Sequence, residues 1–367
     1  MAFTVVVLAA GQGKRMNSSR PKVMHPLAGR PILAHVLDTA RRLNPDAIRV
    51  VHGHGAKEVL AAFPEPDLFW HLQPKQFGTG HAVARALPDI PDDHQVLVFY
   101  GDVPLVGVRT LRMLLTSLEE TALAILTAVP DDPGGYGRII RNEEGAVLGV
   151  VEERDASDDQ RLIGETNSGL VVAHAHALRR WLEKLEHKNA QGEYYLTDII
   201  GMAAKEGVKV KGLKAADSTE VQGVNDKLEL AEAEKTLRRR KAADLMTAGV
   251  SLADPERVDV RGELSVGQDV FVDVGVVFEG NVHLGDRVHI GPYAIVSNSE
   301  LADDCVVHAH CVLEDVVAGP SCVIGPFARL RPGTKLAEQV KVRNFVEVKA
   351  SEISERSKIN HLSYVGD

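Results

Sequence analysis

Ala9, Ala10 and Gly11 end an apolar run, FTVVV, and lead through LAAGQGKRMNSSRPK to Arg15 and Lys22. Side chains this small let a ligand approach the backbone, whose N–H groups can donate to phosphate oxygens or to a base edge. Arg15 and Lys22 add positive charge of the sign a triphosphate needs. A tight turn with two surface cations is the plainer reading of the same residues. Two known phosphate loops are excluded. Gly13-Lys14 is followed by Arg15 where a P-loop needs Ser or Thr, and the preceding glycine is too close. Gly11 and Gly13 fit G-x-G-x-x-G, but its third place is Met16. A second candidate is Asp102, just past the apolar run QVLVFY. It is either a ligand carboxylate or the head of an Asx turn in YGDVPL.

Such residues need elements to hold them. Over the first ~225 residues, strand-like runs (FTVVVLAA, IRVVHGHG, QVLVFYGD, TALAILTAV) alternate with helical spacings such as PILAHVLDTARRL. That alternation predicts an α/β fold with a largely parallel sheet, whose ligands sit at the carboxyl ends of the strands. The glycine loop and Asp102 both fall there. The charged segment 226–249 predicts a linker helix ending at Gly249, with Arg238 to Lys241 on a solvated face.

From about residue 251 the period becomes six. Val260, Val266, Val272, Phe278, Leu284, Ile290 and Val296 fall six apart, and Val258, Leu264, Val270, Val276, Val282 and Val288 run two positions earlier. The register slips, recovers at Ile324, Leu330, Leu336, Val342 and Val348, and slips again to Ile353, Ile359 and Val365. This spacing signals a hexapeptide parallel β-helix whose coils must stack to bury their apolar faces. Across the break at 301–323 a surface loop or irregular coil is expected. His308 and His310 lie in that break as H-x-H, and we expect no metal on them. The repeat runs into the final HLSYVGD without a polar cap, so a fragment, or an end covered by a partner, is expected.

The chain has 367 residues, and two domains are the first expectation. Net charge is −9 without a strongly basic block, which argues against a nucleic-acid binder held by phosphate attraction. Three clustered cysteines, Cys305, Cys311 and Cys322, without C-x-x-C argue against a disulfide framework or thiolate zinc and fit a reducing cytoplasm. The N-terminus lacks a basic n-region. No run reaches the ~18 apolar residues of a membrane span.

The arrangement L-A-A-G-x-G-x-R-M followed by P-K resembles the opening of nucleotidyltransferases that join a sugar 1-phosphate to a nucleoside triphosphate. LQPKQFGTGHAV, LVFYGDVPL, PGGYGRI, GVVEERDA, ETNSGL, NAQGEYYLTDI and VQGVND narrow it. So do GPFARLRPG, RNFVEVK and KINHLSYVGD. Together they resemble, in order over essentially the whole chain, the bacterial bifunctional family that is both an N-acetylglucosamine-1-phosphate uridyltransferase and a glucosamine-1-phosphate acetyltransferase. The resemblance implies an α/β nucleotidyltransferase domain with a Rossmann-like mixed sheet at 1–225 and a linker helix at 226–250. A left-handed β-helix acetyltransferase domain, incomplete at its C-terminus, would fill 251–367. It also implies a cytoplasmic homotrimer that makes UDP-N-acetylglucosamine and pyrophosphate for peptidoglycan and lipopolysaccharide synthesis, with neither nucleic acid nor membrane as partner.

For the first reaction, the resemblance implies that UTP and N-acetylglucosamine 1-phosphate react without a protein nucleophile. Asp102 and Asn225 would hold Mg²⁺, which prefers oxygen ligands and keeps waters. On residue type alone Asn225 is more often a helix N-cap, and only the family pattern makes it a ligand. Arg15 and Lys22 would be catalytic cations. Leu8, Ala10 and Gly11 would contact the nucleotide, and Gln73, Gly78 and Thr79 the uracil. Tyr100, Gly101, Gly137, Glu152 and Asn167 would complete the substrate contacts, chiefly to the sugar. Without the resemblance Gln73 and Glu152 are ordinary surface residues. For the second reaction, Arg331, Lys349 and Tyr364 match the sugar-phosphate contacts and His361 the general base. The family's further coils, which supply most of the acetyl-CoA site, lie beyond this sequence, so weak or absent acetyltransfer is expected. Another hexose 1-phosphate as substrate, or a catalytically silent scaffold, are the rival readings.

Overall fold

The computed structural model describes residues 2–366, which form two compact units. The first comprises residues up to 25 and 31–233; the second comprises 26–30 and 234 onward. The division runs inside the helix Lys227–Thr247.

Nine strands build the sheet of the first unit: β1 (Phe3–Ala9), β2 (Ala47–His52), β3 (Leu68–Leu72), β4 (Gln95–Tyr100), β5 (Leu123–Ala128), β6 (Arg138–Arg141), β7 (Val147–Val151), β8 (Thr166–His174) and β9 (Val210–Lys214). The order is β9-β5-β8-β4-β1-β2-β3, with β6 beside β8 and β7 beside β6. β1 runs parallel to β2 and β4, while β8 is antiparallel to β4 and β5. Val5, Val6 and Val7 have no exposure, because helices cover both sheet faces and the strand is apolar on both sides. The chain moves outward from β1 to β2 and β3, then returns to the other side of β1 as β4. That reversal puts the ends of β1 and β4 together, with Leu8 opposite Tyr100.

The second unit is a left-handed parallel β-helix whose short strands form one seven-stranded and one eleven-stranded ladder. Its interior holds the six-residue series, from Val272 through Ile290 to Val348, with exposures of 0–3 %. The break at 301–323 is not a loop. Strands Glu300–Leu301, Val306–Val307, Val312–Glu314 and Val317–Ala318 continue the ladders in register. The slip has a local cause. Some coils pair residues eighteen apart, as Val272 with Ile290 and Ile324 with Val342, and others seventeen apart, as Ile290 with Val307 and Val342 with Ile359. The missing residue comes from one corner, where Val296 steps to Leu301, Leu313 to Ala318 and Val348 to Ile353. Asn298, Asp315 and Ala350 make these tight corners with φ of 45°, 49° and 43°, where roomier corners use Gly280 and Gly333. Cys305, Cys311 and Cys322 are free thiols in the interior. His310 stacks between Tyr293 (5.2 Å) and Phe327 (4.9 Å) at another corner.

Of the cations expected on a solvated helix face, Arg239 is exposed, while Lys241 meets the first coil. Arg239 pairs with Glu256 at 2.8 Å, and Lys241 Nζ donates to the carbonyls of Val260 and Gly262 at 3.0 and 2.9 Å. Among the described residues no helix is long and apolar enough to cross a membrane.

Candidate active site

The loop after β1 folds back on itself at Gly13, whose φ is 62° and where a Cβ would lie 2.6 Å from Lys22 Cβ. The return brings the Lys22 ammonium against Asp102 and 3.1 Å from Asn225 Oδ1. The Lys22 and Asp102 side chains are only 13 % and 16 % exposed. Asp102 is fixed by the sheet: Gly101 N–H donates to the Leu8 carbonyl at 2.9 Å. Asn225 comes from far along the chain, tied by Val224 N–H to the Asp102 carbonyl at 2.8 Å. Its own N–H donates to Glu229 Oε2 at 2.5 Å, and Asp226 caps the same helix start through Glu229 N–H at 2.9 Å. One carboxylate and one amide oxygen thus converge on a single cation. This hard-oxygen donor set fits magnesium, which needs few protein ligands.

Beside it lies a cavity of about 270 Å³. Leu8, Ala10, Gly11, Lys22, Gln73, Gly78, Thr79, Tyr100 and Asp102 all line it. Gln73, expected at the surface on residue type alone, is 4 % exposed. Its Nε2 donates to the Gly78 carbonyl at 3.1 Å and lies 3.0 Å from His81 Nδ1. Both amide protons have partners, so Oε1 is the atom Gln73 offers to a ligand. Gly78 has φ of 107°, and a Cβ there would lie 2.6 Å from the Tyr194 carbonyl oxygen. Thr79 Oγ1 accepts the Leu196 N–H at 3.0 Å.

The remaining first-unit residues do not line this cavity, but Gly137, Glu152 and Asn167 meet one another. Asn167 N–H donates to the Gly137 carbonyl at 2.8 Å, and a Cβ on Gly137 would lie 3.3 Å from Glu152 Oε2. Burial raises the Glu152 pKa, against the hydrogen bond that Thr197 Oγ1 donates to its Oε1 at 2.8 Å. Burial and the nearby Glu152 charge push the Tyr100 phenol up. A register shift in β8 between Asn167 and Val171 leaves Gly169, at φ 83°, packed on the Tyr100 ring. Arg15 stays exposed on the turn Lys14–Met16 and lines neither this cavity nor the 340 Å³ hollow beside Asn167 and Tyr136. A larger hollow of about 680 Å³, lined by Arg42, Arg109, Arg112 and Lys211, holds none of the predicted residues.

Gln76, Glu193, Thr197 and Glu229 were not singled out from sequence. Gln76 Nε2 donates to the Ala10 carbonyl, and Glu193 lines the same cavity. The available signal was polar residues inside the motif stretches LQPKQFGTGHAV and NAQGEYYLTDI. For Glu229 it was an acid in the first turn after Asp226.

In the second unit Arg331 lies 3.2 Å from Glu347. Lys349 and Tyr364 are neighbours, since a Cβ on Gly366 would lie 3.2 Å from Lys349 Cβ and 2.9 Å from Tyr364 Oη. His361 is exposed, and no hydrogen bond among the described residues joins its ring to the other three.

Residues 5–201 match the MobA-like NTP transferase domain, and residues 260–365 match the GMPPB C-terminal domain. The bifunctional protein GlmU of Marinobacter nauticus is 53 % identical over 363 residues, covering 99 % of this chain and 80 % of that protein. Those of Alkalilimnicola ehrlichii and Chromohalobacter salexigens are 54 % and 53 % identical over 366 and 367 residues. Each covers 100 % of this chain, which spans 79 % and 81 % of their lengths. At the level of fold alone, the chain is similar to a crystal structure described as a putative glucose-1-phosphate thymidylyltransferase from Bacillus anthracis in complex with a sucrose. The TM-score is 0.51 at 17 % identity, covering 64 % of this chain and 94 % of that one. With half its residues shared along its whole length, and an NTP transferase domain over residues 5–201, the chain belongs to the GlmU family.

Proposed function

We propose that the first unit transfers UMP from UTP to N-acetylglucosamine 1-phosphate, giving UDP-N-acetylglucosamine and pyrophosphate. The observation that carries it is the meeting of Lys22, Asp102 and Asn225 beside a cavity lined by backbone and the Gln73 amide. A phosphate oxygen of the sugar phosphate forms a bond to the α-phosphorus of UTP. The bond from that phosphorus to the bridging oxygen breaks, and its electron pair leaves on pyrophosphate. No protein nucleophile is needed, so this chain's work is orientation and charge placement.

Gln73 Oε1 accepts the uracil N3–H, with Gly78 and Thr79 at the same edge. Glu152 and Asn167 take sugar hydroxyl and N-acetyl groups, and Gly137 leaves room for the ring. Lys22, and Arg15 from the exposed turn, offset phosphate charge. A magnesium ion on Asp102 and Asn225 would supply further neutralisation of the phosphate oxygens. In this reading residues 1–225 are the uridyltransferase domain, 226–250 the linker, and 251–367 the acetyltransferase domain of a cytoplasmic homotrimer feeding envelope precursors.

We also propose that this chain transfers little acetyl from acetyl-CoA to glucosamine 1-phosphate. Arg331 is engaged by Glu347, and His361 stands exposed and unlinked to its partners. Release of CoA dependent on glucosamine 1-phosphate, at rates matching uridyl transfer and lost in His361→Ala, would overturn that view.

The test is pyrophosphate release from UTP with Mg²⁺. N-acetylglucosamine, glucosamine and glucose 1-phosphates are compared, with Asp102→Ala as control. Turnover with the N-acetylated sugar, lost in the variant, is expected. Preference for glucose 1-phosphate would move the protein to a sister activity, and no turnover would leave a binding scaffold.

A further inference from the structure

Arg138 opens strand β6 with 2 % exposure, and its guanidinium touches none of the proposed substrate contacts. Nη1 lies 2.8 Å from Glu153 Oε2 and donates to the Tyr136 carbonyl, and Nη2 donates to the Arg161 carbonyl at 3.4 Å. Nε is buried without a partner. A charge this deep is costly, and apolar residues of similar volume often fill such a place with no loss of stability. Core packing alone therefore gives no reason for an arginine here.

Its partners are what distinguish it. Tyr136 precedes Gly137, and Glu153 follows Glu152. The Arg138 backbone pairs with Val151 on one side and Thr166 on the other, the residues just before Glu152 and Asn167. One buried cation is therefore tied to the chain neighbours of Gly137, Glu152 and Asn167. Arg161 adds a weaker contact, 3.8 Å from Glu153 Oε1.

We infer that Arg138, through Glu153 and the Tyr136 carbonyl, is a positioning residue. It sets the spacing of Gly137, Glu152 and Asn167, and with it the discrimination among hexose 1-phosphates. The inference rests on the reading of those three residues as the sugar contacts. A guanidinium suits the task because its planar fork donates to two carbonyls, those of Tyr136 and Arg161, in fixed directions while its charge faces Glu153, whereas an ammonium is a point charge.

The test uses the full chain carrying Arg138→Lys, Glu153→Gln or Glu152→Gln. KM for UTP and for N-acetylglucosamine 1-phosphate, the rate ratio over glucose 1-phosphate, and the thermal midpoint are measured. Arg138→Lys should raise the sugar-phosphate KM about tenfold, equivalent to ~1.4 kcal/mol, and narrow the sugar preference, with the UTP KM within about twofold. Glu153→Gln should do the same more weakly; its side chain is 32 % exposed, so it remains a usable variant if Arg138→Lys fails to fold. Equal rises in both KM values that track a fall in midpoint, or no change in either, would overturn the inference. If Glu152→Gln itself leaves the sugar-phosphate KM unchanged, it is the sugar-pocket reading that fails.

Discussion

Glu152 and Lys22 carry opposite charges in the same unit, and their surroundings treat them differently. Lys22 meets two oxygen donors, Asp102 and Asn225, and a donor set that has already gathered a cation is poised to hold another. Glu152 meets a hydroxyl, Thr197, and lies near two more acids, Asp198 and Asp155, with the Tyr100 phenol also close. Burial and those acids raise its pKa above the ordinary 4.5, so its neutral form persists to higher pH than in free glutamate. The ionised carboxylate accepts from sugar hydroxyls more strongly than the neutral acid, one of whose oxygens carries a proton that donates instead. The KM for N-acetylglucosamine 1-phosphate should therefore climb as pH falls through the raised pKa, before an ordinary glutamate would titrate. Glu152→Gln should flatten that arm, and Thr197→Val, which removes the bond favouring the charged form, should move it to still higher pH. The stability linkage runs the opposite way: neutral Glu152 favours folding below 4.5, and that contribution is lost as pH rises through the raised value. Identical KM profiles for the native chain and Glu152→Gln would remove Glu152 from the sugar site.

Strand β8 shows how an element places such residues. Its register shift between Asn167 and Val171 re-aims Asn167, and Gly169 in the shifted stretch makes room for Tyr100. A methyl at Gly169 would lie 2.7 Å from the Tyr100 ring, at a φ of 83° that disfavours any L side chain. Gly169→Ala should lower kcat/KM for the sugar phosphate at least about tenfold by displacing Tyr100, while leaving most of the thermal midpoint intact; unchanged kinetics would mean the strand adapts. Little of this was legible in sequence. The strands β1 and β4 were, because Val5 to Val7 and Val96 to Phe99 are apolar on both faces. The β-helix was too, because its six-residue period survives in the letters. The break at 301–323 misled because a corner one residue shorter looks, in one dimension, like a lost repeat, while the coils stay in register in three. Lys241 suggested solvent because sequence does not show that the first coil offers two carbonyls at its height. Thr197 and Arg138 act through neighbours, so their residue types carry no signal of their own.

At the scale of the whole molecule the charge of the chain opposes its proposed substrates. At a net charge of −9 the protein repels UTP at long range, so affinity must come from a few cations in contact with the ligand. Salt acts on the two effects differently. The Debye length is ~8 Å at physiological ionic strength, so long-range repulsion is screened strongly and a contact with a buried ammonium much less. Lys22, with a side chain 13 % exposed, belongs to the second class, and exposed Arg15 to the first. The KM for UTP should therefore change by less than about threefold between ~0.05 and ~0.3 M KCl. A protein holding many phosphates by surface cations would lose affinity by ~10³ or more over a similar range. Any remaining slope should vanish in Arg15→Gln and persist in the native chain, because Arg15 is the proposed phosphate contact that solvent reaches. A KM that rises steeply with salt in both would mean that other exposed cations, Lys14 first among them, hold the triphosphate, and that the partly buried Lys22 serves Asp102 and Asn225 instead.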